Sequence, residues 1–177
     1  VAKPFSQTQV MVGCSGLTAT DPRRYAMMVF SSILGGGMSS RLFQTIREQR
    51  GLAYSTYCFS HPHSDVGSFG VYAACAPTAS AEVTGLMEAE WELLAANGPT
   101  DDEMARVKGQ IRGSALLANE EAFAHMNRLG RGEILMGELP SIHEVLGRVD
   151  AVTAADVREL GADLAARARS RVVVGPA

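Results

Sequence analysis

No apolar run in this sequence approaches the roughly eighteen residues that a membrane-crossing helix needs, and the first residues show no basic stretch leading into an apolar one. The expectation is a protein with neither a membrane span nor a secretory signal, in the cytoplasm or, as the alternative, the mitochondrial matrix. Positive charge is not in surplus either: 16 basic side chains stand against 19 acidic ones, a net charge of −3, which argues against nucleic acid as a partner. Cysteine is scarce and odd in number. Cys14, Cys58 and Cys75 each lie in an apolar, strand-like run, which fits buried free thiols in a reducing compartment better than a disulfide framework. The single tryptophan, Trp91, sits in an apolar stripe at helical spacing and reads as core rather than as a ligand site.

What is present describes a globular domain. With 177 residues, 46% of them hydrophobic and 20% charged, the chain can bury a full core, and it reads as one domain over residues 1–177. It opens at Val1 with strand-like sequence instead of Met, so a piece of a longer, two-domain chain is expected.

The organising stretch is Leu34 to Tyr54, LGGGMSSRLFQTIREQRGLAY. Gly35, Gly36 and Gly37 admit backbone angles closed to other residues and predict a sharp loop. Ser39 or Ser40 can accept from the first free amides of a helix in which Leu42, Phe43 and Ile46 recur at helical spacing. Arg47 and Arg50 suit its negative end and Gly51 its termination, so the helix runs from Ser40 to Arg50. Leu52 to Phe59 is rich in β-preferring residues, which puts Tyr54 just inside a strand and brings Arg47 toward it.

Phe5 to Leu17 alternates as a strand ending at Gly16. Asp21 as N-cap and Pro22 as first helical residue open a helix whose apolar face is Tyr25, Met28, Val29 and Ile33. Ser60 to Gly67 reads as a hairpin loop leading to a strand over Ser68 to Ala76. Val83, Met87, Trp91 and Leu94 line a helix over Ser80 to Asn97. Capping boxes at Thr100–Glu103 and Ser141–Glu144 start helices, the first running to about Asn119 with Glu120 to Met136 as a second segment, the other reaching Val149. Thr153 to Asp156 opens a helix toward Arg167, and Arg171 to Val174 is a closing strand. Hairpins and helices with few crossovers predict an α+β fold, a mostly antiparallel sheet with helices packed on one face.

Metal ligation has weak support. Cys58, His61 and His63 form C-x-x-H-x-H, but no fourth ligand is near and His61-Pro62-His63 reads as a turn. Glu121 and His125 are spaced i,i+4, as a surface pair would be, and His143 is isolated. Neither H-E-x-x-H nor H-x-x-E-H occurs. The glycine run lacks the patterns of phosphate loops and follows a helix instead of a strand, which counts against nucleotide binding. A close-contact loop is the better reading.

Leu34–Phe43, Ile46-Arg47-Glu48 and Arg50-Gly51-Leu52-Ala53-Tyr54-Ser55, with Arg128-Leu129-Gly130-Arg131 and the closing Arg171–Pro176, together resemble the pitrilysin and mitochondrial processing peptidase family, whose zinc motif is the inverted H-x-x-E-H. The resemblance covers nearly the whole chain. It implies the same α+β fold and the C-terminal, non-zinc half of an inverzincin metalloendopeptidase. Zinc is then held by a partner half, on the same chain or another, and no metal or other cofactor by this one. It also implies that Arg47 and Tyr54 project across a chamber toward a peptide at the metal, as accessory donors to substrate and oxyanion; spacing alone favours the plainer reading, a helix-end arginine and a sheet-packed tyrosine, and the resemblance reverses it. Partners are the zinc-bearing half and a peptide substrate, with a homodimer of the isolated domain as a further expectation, and the chain alone is expected to be inactive. The alternative is a structural or scaffolding member of the family, like the core subunits of respiratory complexes, which keeps the fold without cleaving anything.

Overall fold

The computed structural model describes residues 6–176. Its elements run β1 (Thr8–Ser15), α1 (Arg24–Gly35), a π-helix (Phe43–Glu48), β2 (Ala53–Pro62), β3 (Gly67–Cys75), α2 (Ser80–Asn97), α3 (Asp101–Glu120), α4 (Ala122–Met136), α5 (Ile142–Ala151), α6 (Ala154–Ala166) and β4 (Ser170–Val174). Phe5, the expected start of the first strand, lies outside the described residues. The four strands form one antiparallel sheet in the order β2-β3-β1-β4. The fold is α+β, as expected, and no helix among the described residues is long and apolar enough to cross a membrane.

Strand alternation sets the two faces of the sheet. Val10, Val12, Phe69, Val71 and Ala73 are fully buried on one face, against Phe30 of α1, Met87 and Trp91 of α2 and Leu160 of α6. Phe69 is the hinge of this core, edge-on to Phe30 at 5.7 Å and to Trp91 at 4.9 Å. Trp91 is core, with its indole N–H enclosed and unpartnered. The opposite face carries one cross-strand row, Tyr57-Tyr72-Met11-Val172, with the two tyrosine rings 4.6 Å apart. Tyr57, Met11 and Val172 are exposed.

The three helix starts marked by capping chemistry form as written. Thr100 and Glu103, Ser141 and Glu144, and Thr153 and Asp156 each close a reciprocal box, satisfying amides that a helix start leaves open. Elsewhere the structure differs. The first helix begins at Arg24, two residues past Pro22: Asp21 does accept from the Arg23 amide (2.8 Å), but the opening turn is the tighter one in which Arg24 N–H donates to the Asp21 carbonyl at 3.1 Å, and the regular helical bonds start with Met27 N–H to the Arg23 carbonyl. Met28, expected on the apolar face, is 40% exposed, while Met27 and Phe30 are buried in its place. The helix predicted from Ser40 to Arg50 is wound as a π-helix over most of its length, with Gln49 N–H donating to the Gln44 carbonyl at 2.9 Å. The hairpin loop is shorter than Ser60 to Gly67, since Pro62 still pairs with Gly67 at the edge of the sheet.

The glycine run works by approach, not by unusual angles. Positive φ occurs among the described residues at Gly51, Gly98 and Gly137 only. A side chain at Gly35 would stand 2.5 Å from the Cys58 amide nitrogen, so the absence of Cβ is what lets α1 end against β2. Ser40 does not accept from a helix amide; its hydroxyl donates to the Gly37 carbonyl at 2.6 Å and closes the loop from within.

Candidate functional site

The helix that presents Arg47 is fixed to its surroundings at several points. Leu42 and Ile46 are fully buried beneath it. Arg41, two residues before the π-helix proper, makes a two-pronged ion pair with Glu103 (2.8 and 2.9 Å) and also donates to the Gly98 carbonyl. That bond holds the Glu103 carboxyl below the usual glutamate range, assisted by the Thr100 amide. Thr45 donates to Glu90 at 2.8 Å and Arg50 pairs with Glu82 at 3.1 Å, so contacts to α2 and α3 fix the rotation of the helix.

Gly51, at φ +63°, then ends the helix, with Leu52 N–H returning to the Ile46 carbonyl. β2 starts with a bulge between Ala53 and Ser55, which makes Tyr54 the extra residue and turns it out of the pleat. Arg47 and Tyr54 meet there. The guanidinium donates from Nη1 to the Tyr54 carbonyl at 3.0 Å and lies 4.6 Å from the centroid of the tyrosine ring. The guanidinium also lies 4.7 Å from the centroid of the Phe43 ring. The arginine side chain is 35% exposed and Tyr54 is 76% exposed, so both can meet another molecule. Phe43 is the member of this cluster that the sequence reading left in the apolar stripe; its signal was the i,i+4 spacing to Arg47 on one helix face.

The metal candidates do not converge. Cys58 and His61 are three apart on one strand and therefore point to opposite faces: Cys58 packs against the core with its thiol pushed up by burial, whereas His61 stacks on Phe59 at 5.3 Å. The expected Glu121–His125 side-chain pair is not made, because the Glu121 carboxylate accepts from the Phe123 and Ala124 amides as the cap of α4, and His125 faces Asn119 at 3.1 Å. Among the described residues no group of three or more His, Cys, Asp or Glu side chains could hold a metal ion. All three cysteines are free thiols.

A cavity of about 500 Å³ lies elsewhere, between α1 and α4, and neither Arg47 nor Tyr54 lines it. Several apolar side chains of α3 and α4 stand outward beyond it, with Phe123 64% and Ile134 80% exposed.

The chain belongs to the family described as the peptidase M16 inactive domain, whose model matches residues 1–111. It is 44% identical over 176 residues to an uncharacterized zinc protease of Streptomyces coelicolor, covering 99% of this chain and 38% of that protein. Against an uncharacterized zinc protease of Mycobacterium tuberculosis the identity is 38%, over 99% of this chain and 40% of the relative. This chain thus spans about two fifths of the length of these curated relatives. In structure it resembles a peptidase M16 inactive domain from Pseudomonas fluorescens, with a TM-score of 0.85 and 25% identity over all of this chain and 43% of the other. A chain of complex III2 from Candida albicans shares the fold at a TM-score of 0.85 and 22% identity, over 98% of this chain and 44% of that one.

Proposed function

We propose that this domain is the substrate-clamping half of a zinc-dependent endopeptidase, working opposite a zinc-bearing half that shares its chain or joins it as a subunit. The observation that carries the reading is the Arg47–Tyr54 pair, built on a braced helix and a strand bulge yet open to solvent. A side chain with only a structural role has little reason to leave its phenol outside. The donor set for zinc is not among the described residues, so the metal and the water it activates are assigned to the other half.

What this chain supplies is donors. The Tyr54 hydroxyl and the N–H groups of Arg47 not engaged by the Tyr54 carbonyl can reach a peptide carbonyl, and they gain strength as negative charge develops on its oxygen. Because the guanidinium is already held by the Tyr54 carbonyl and against two rings, little ordering remains to be done when substrate arrives. The pair stands on an open surface, so the chamber forms only when the second half closes over it. The outward apolar residues of α3 and α4, Leu117, Phe123 and Ile134, offer a surface for that half to cover.

The test is reconstitution. This chain and the zinc-bearing half are inactive apart and cleave peptides together, and Arg47→Ala or Tyr54→Phe lowers turnover by about a hundredfold, the usual scale for one such donor. Full turnover in either variant removes that residue from the reading. No cleavage by the assembled pair, under conditions where the halves demonstrably bind, favours a scaffold.

A further inference from the structure

We propose that the cavity between α1 and α4 binds a small amphiphilic carboxylate, its chain along the methionine- and leucine-lined wall and its head group on Arg128 and Arg131. The inference is independent of the peptidase reading. At about 500 Å³ the space falls within the range of small-molecule sites, and Met27 and Met28 of α1 face Leu135 and Met136 of α4 across it.

Charge selects the ligand. Three arginines and one glutamate line the cavity, and that glutamate, Glu138, is already paired with Arg24. Arg128 and Arg131 have no carboxylate within ion-pair distance among the described residues. They lie three apart on α4, on one face of the helix. Arg128 makes a single bond, from Nη1 to the Pro140 carbonyl at 2.8 Å, and its Nε is enclosed without an acceptor. From the opposite wall the Ser31 hydroxyl is likewise enclosed and unpartnered. Those two atoms lie behind the wall, but Arg128 Nη2 and the Arg131 guanidinium have no acceptor among the described residues, and two cations without a counter-charge beside one cavity point to an acceptor that carries negative charge. The apolar walls require that this anion bring an apolar body with it.

The methionines supply the readout. In the 177-residue chain labelled at its methionine methyls, sodium decanoate below its micelle-forming concentration should shift Met27, Met28 and Met136 saturably and leave Met11, Met38 and Met87 in place. Decan-1-ol should bind about tenfold more weakly, the loss of one charge-assisted contact. Arg131→Gln, at an exposed residue that makes no bond of its own, should bring decanoate to the level of decanol without changing decanol. Leu139→Trp, which fills the space from its outer wall, should abolish both. Absence of shifts at the three lining methyls, or shifts spread over all the methionines, overturns the site. Equal binding of decanol and decanoate, unchanged by Arg131→Gln or Arg128→Gln, overturns the carboxylate assignment.

Discussion

Arg47 and Tyr54 are joined twice, by a hydrogen bond to the tyrosine's main-chain carbonyl and by the stacking of guanidinium on ring. The bond is to backbone, so the two side chains can be altered separately. Tyr54→Phe keeps both anchors of Arg47 and removes only the exposed hydroxyl. Thermal unfolding of that variant should match the parent within about 0.5 kcal/mol, while turnover in the assembled peptidase falls by about a hundredfold. Phe43→Leu removes the second ring. Its stacking is worth about 0.5–1 kcal/mol, so a several-fold fall in turnover is expected, with the peptide KM rising less than kcat falls.

Glu103 ties the start of α3 to Arg41 and thereby to the Arg47 helix. Its native carboxyl titrates below the ordinary glutamate value, chiefly through the Arg41 bond. The unfolded chain therefore binds more protons in that interval, and the pair's stabilisation is present above the unfolded value, near 4.3, and lost as pH falls through the native one. Glu103→Gln keeps a capping-box residue and removes the charge. Urea unfolding should show the variant less stable at pH 7 by about 1–3 kcal/mol, with a shallower loss of stability on acidification than the parent. A parallel decline in both proteins would assign the acid sensitivity elsewhere.

Two glycines should respond oppositely to alanine. At Gly35 the added methyl meets the Cys58 backbone at 2.5 Å, and strand or helix must move; a loss above about 2 kcal/mol is expected, within the range of overpacked sites. At Gly113, inside α3, nothing lies within 4 Å, and alanine should stabilise by about 0.5–1 kcal/mol through helix propensity. Chemical denaturation of both variants checks the pair.

All three thiols are raised by desolvation, so their thiolate fractions at neutral pH are small. An aromatic disulfide reagent should modify the folded chain slowly, with Cys58 and the enclosed Cys75 behind Cys14, and all three at once in denaturant. Rapid labelling of Cys58 in the folded state would contradict its packing against α1 and β3.

Local chemistry was legible in the sequence because its signals are short. Each capping box and the terminator Gly51 are decided within four residues, and the burial of Val83, Met87, Trp91 and Leu94 follows from one period. Features set by distant neighbours were not. Gly35 looks like a loop glycine until Cys58 is seen against it, and Met28 shares the helical period of the core but faces the cavity instead. A π-helix and a one-residue bulge change register without changing composition, so the spacing from Arg47 to Tyr54 announced a meeting but not the stack that includes Phe43. The Cys58–His61 spacing was set aside for want of a fourth ligand, and the strand's alternation, which ligand counting ignores, supplies the stronger reason by turning the two side chains to opposite faces.

The outermost strand, β4, lies against β1, although about 150 residues of chain separate them. At the usual pace of synthesis, about 5–20 residues per second, β1 waits roughly 8–30 s on the ribosome with one flank unmatched. Val172 and Val173 reach it only at the end. Until Ser170–Val174 is made, that flank of β1 is open to pairing with a neighbouring chain, so newly made copies of this domain meet their chief risk of clumping before the strand arrives.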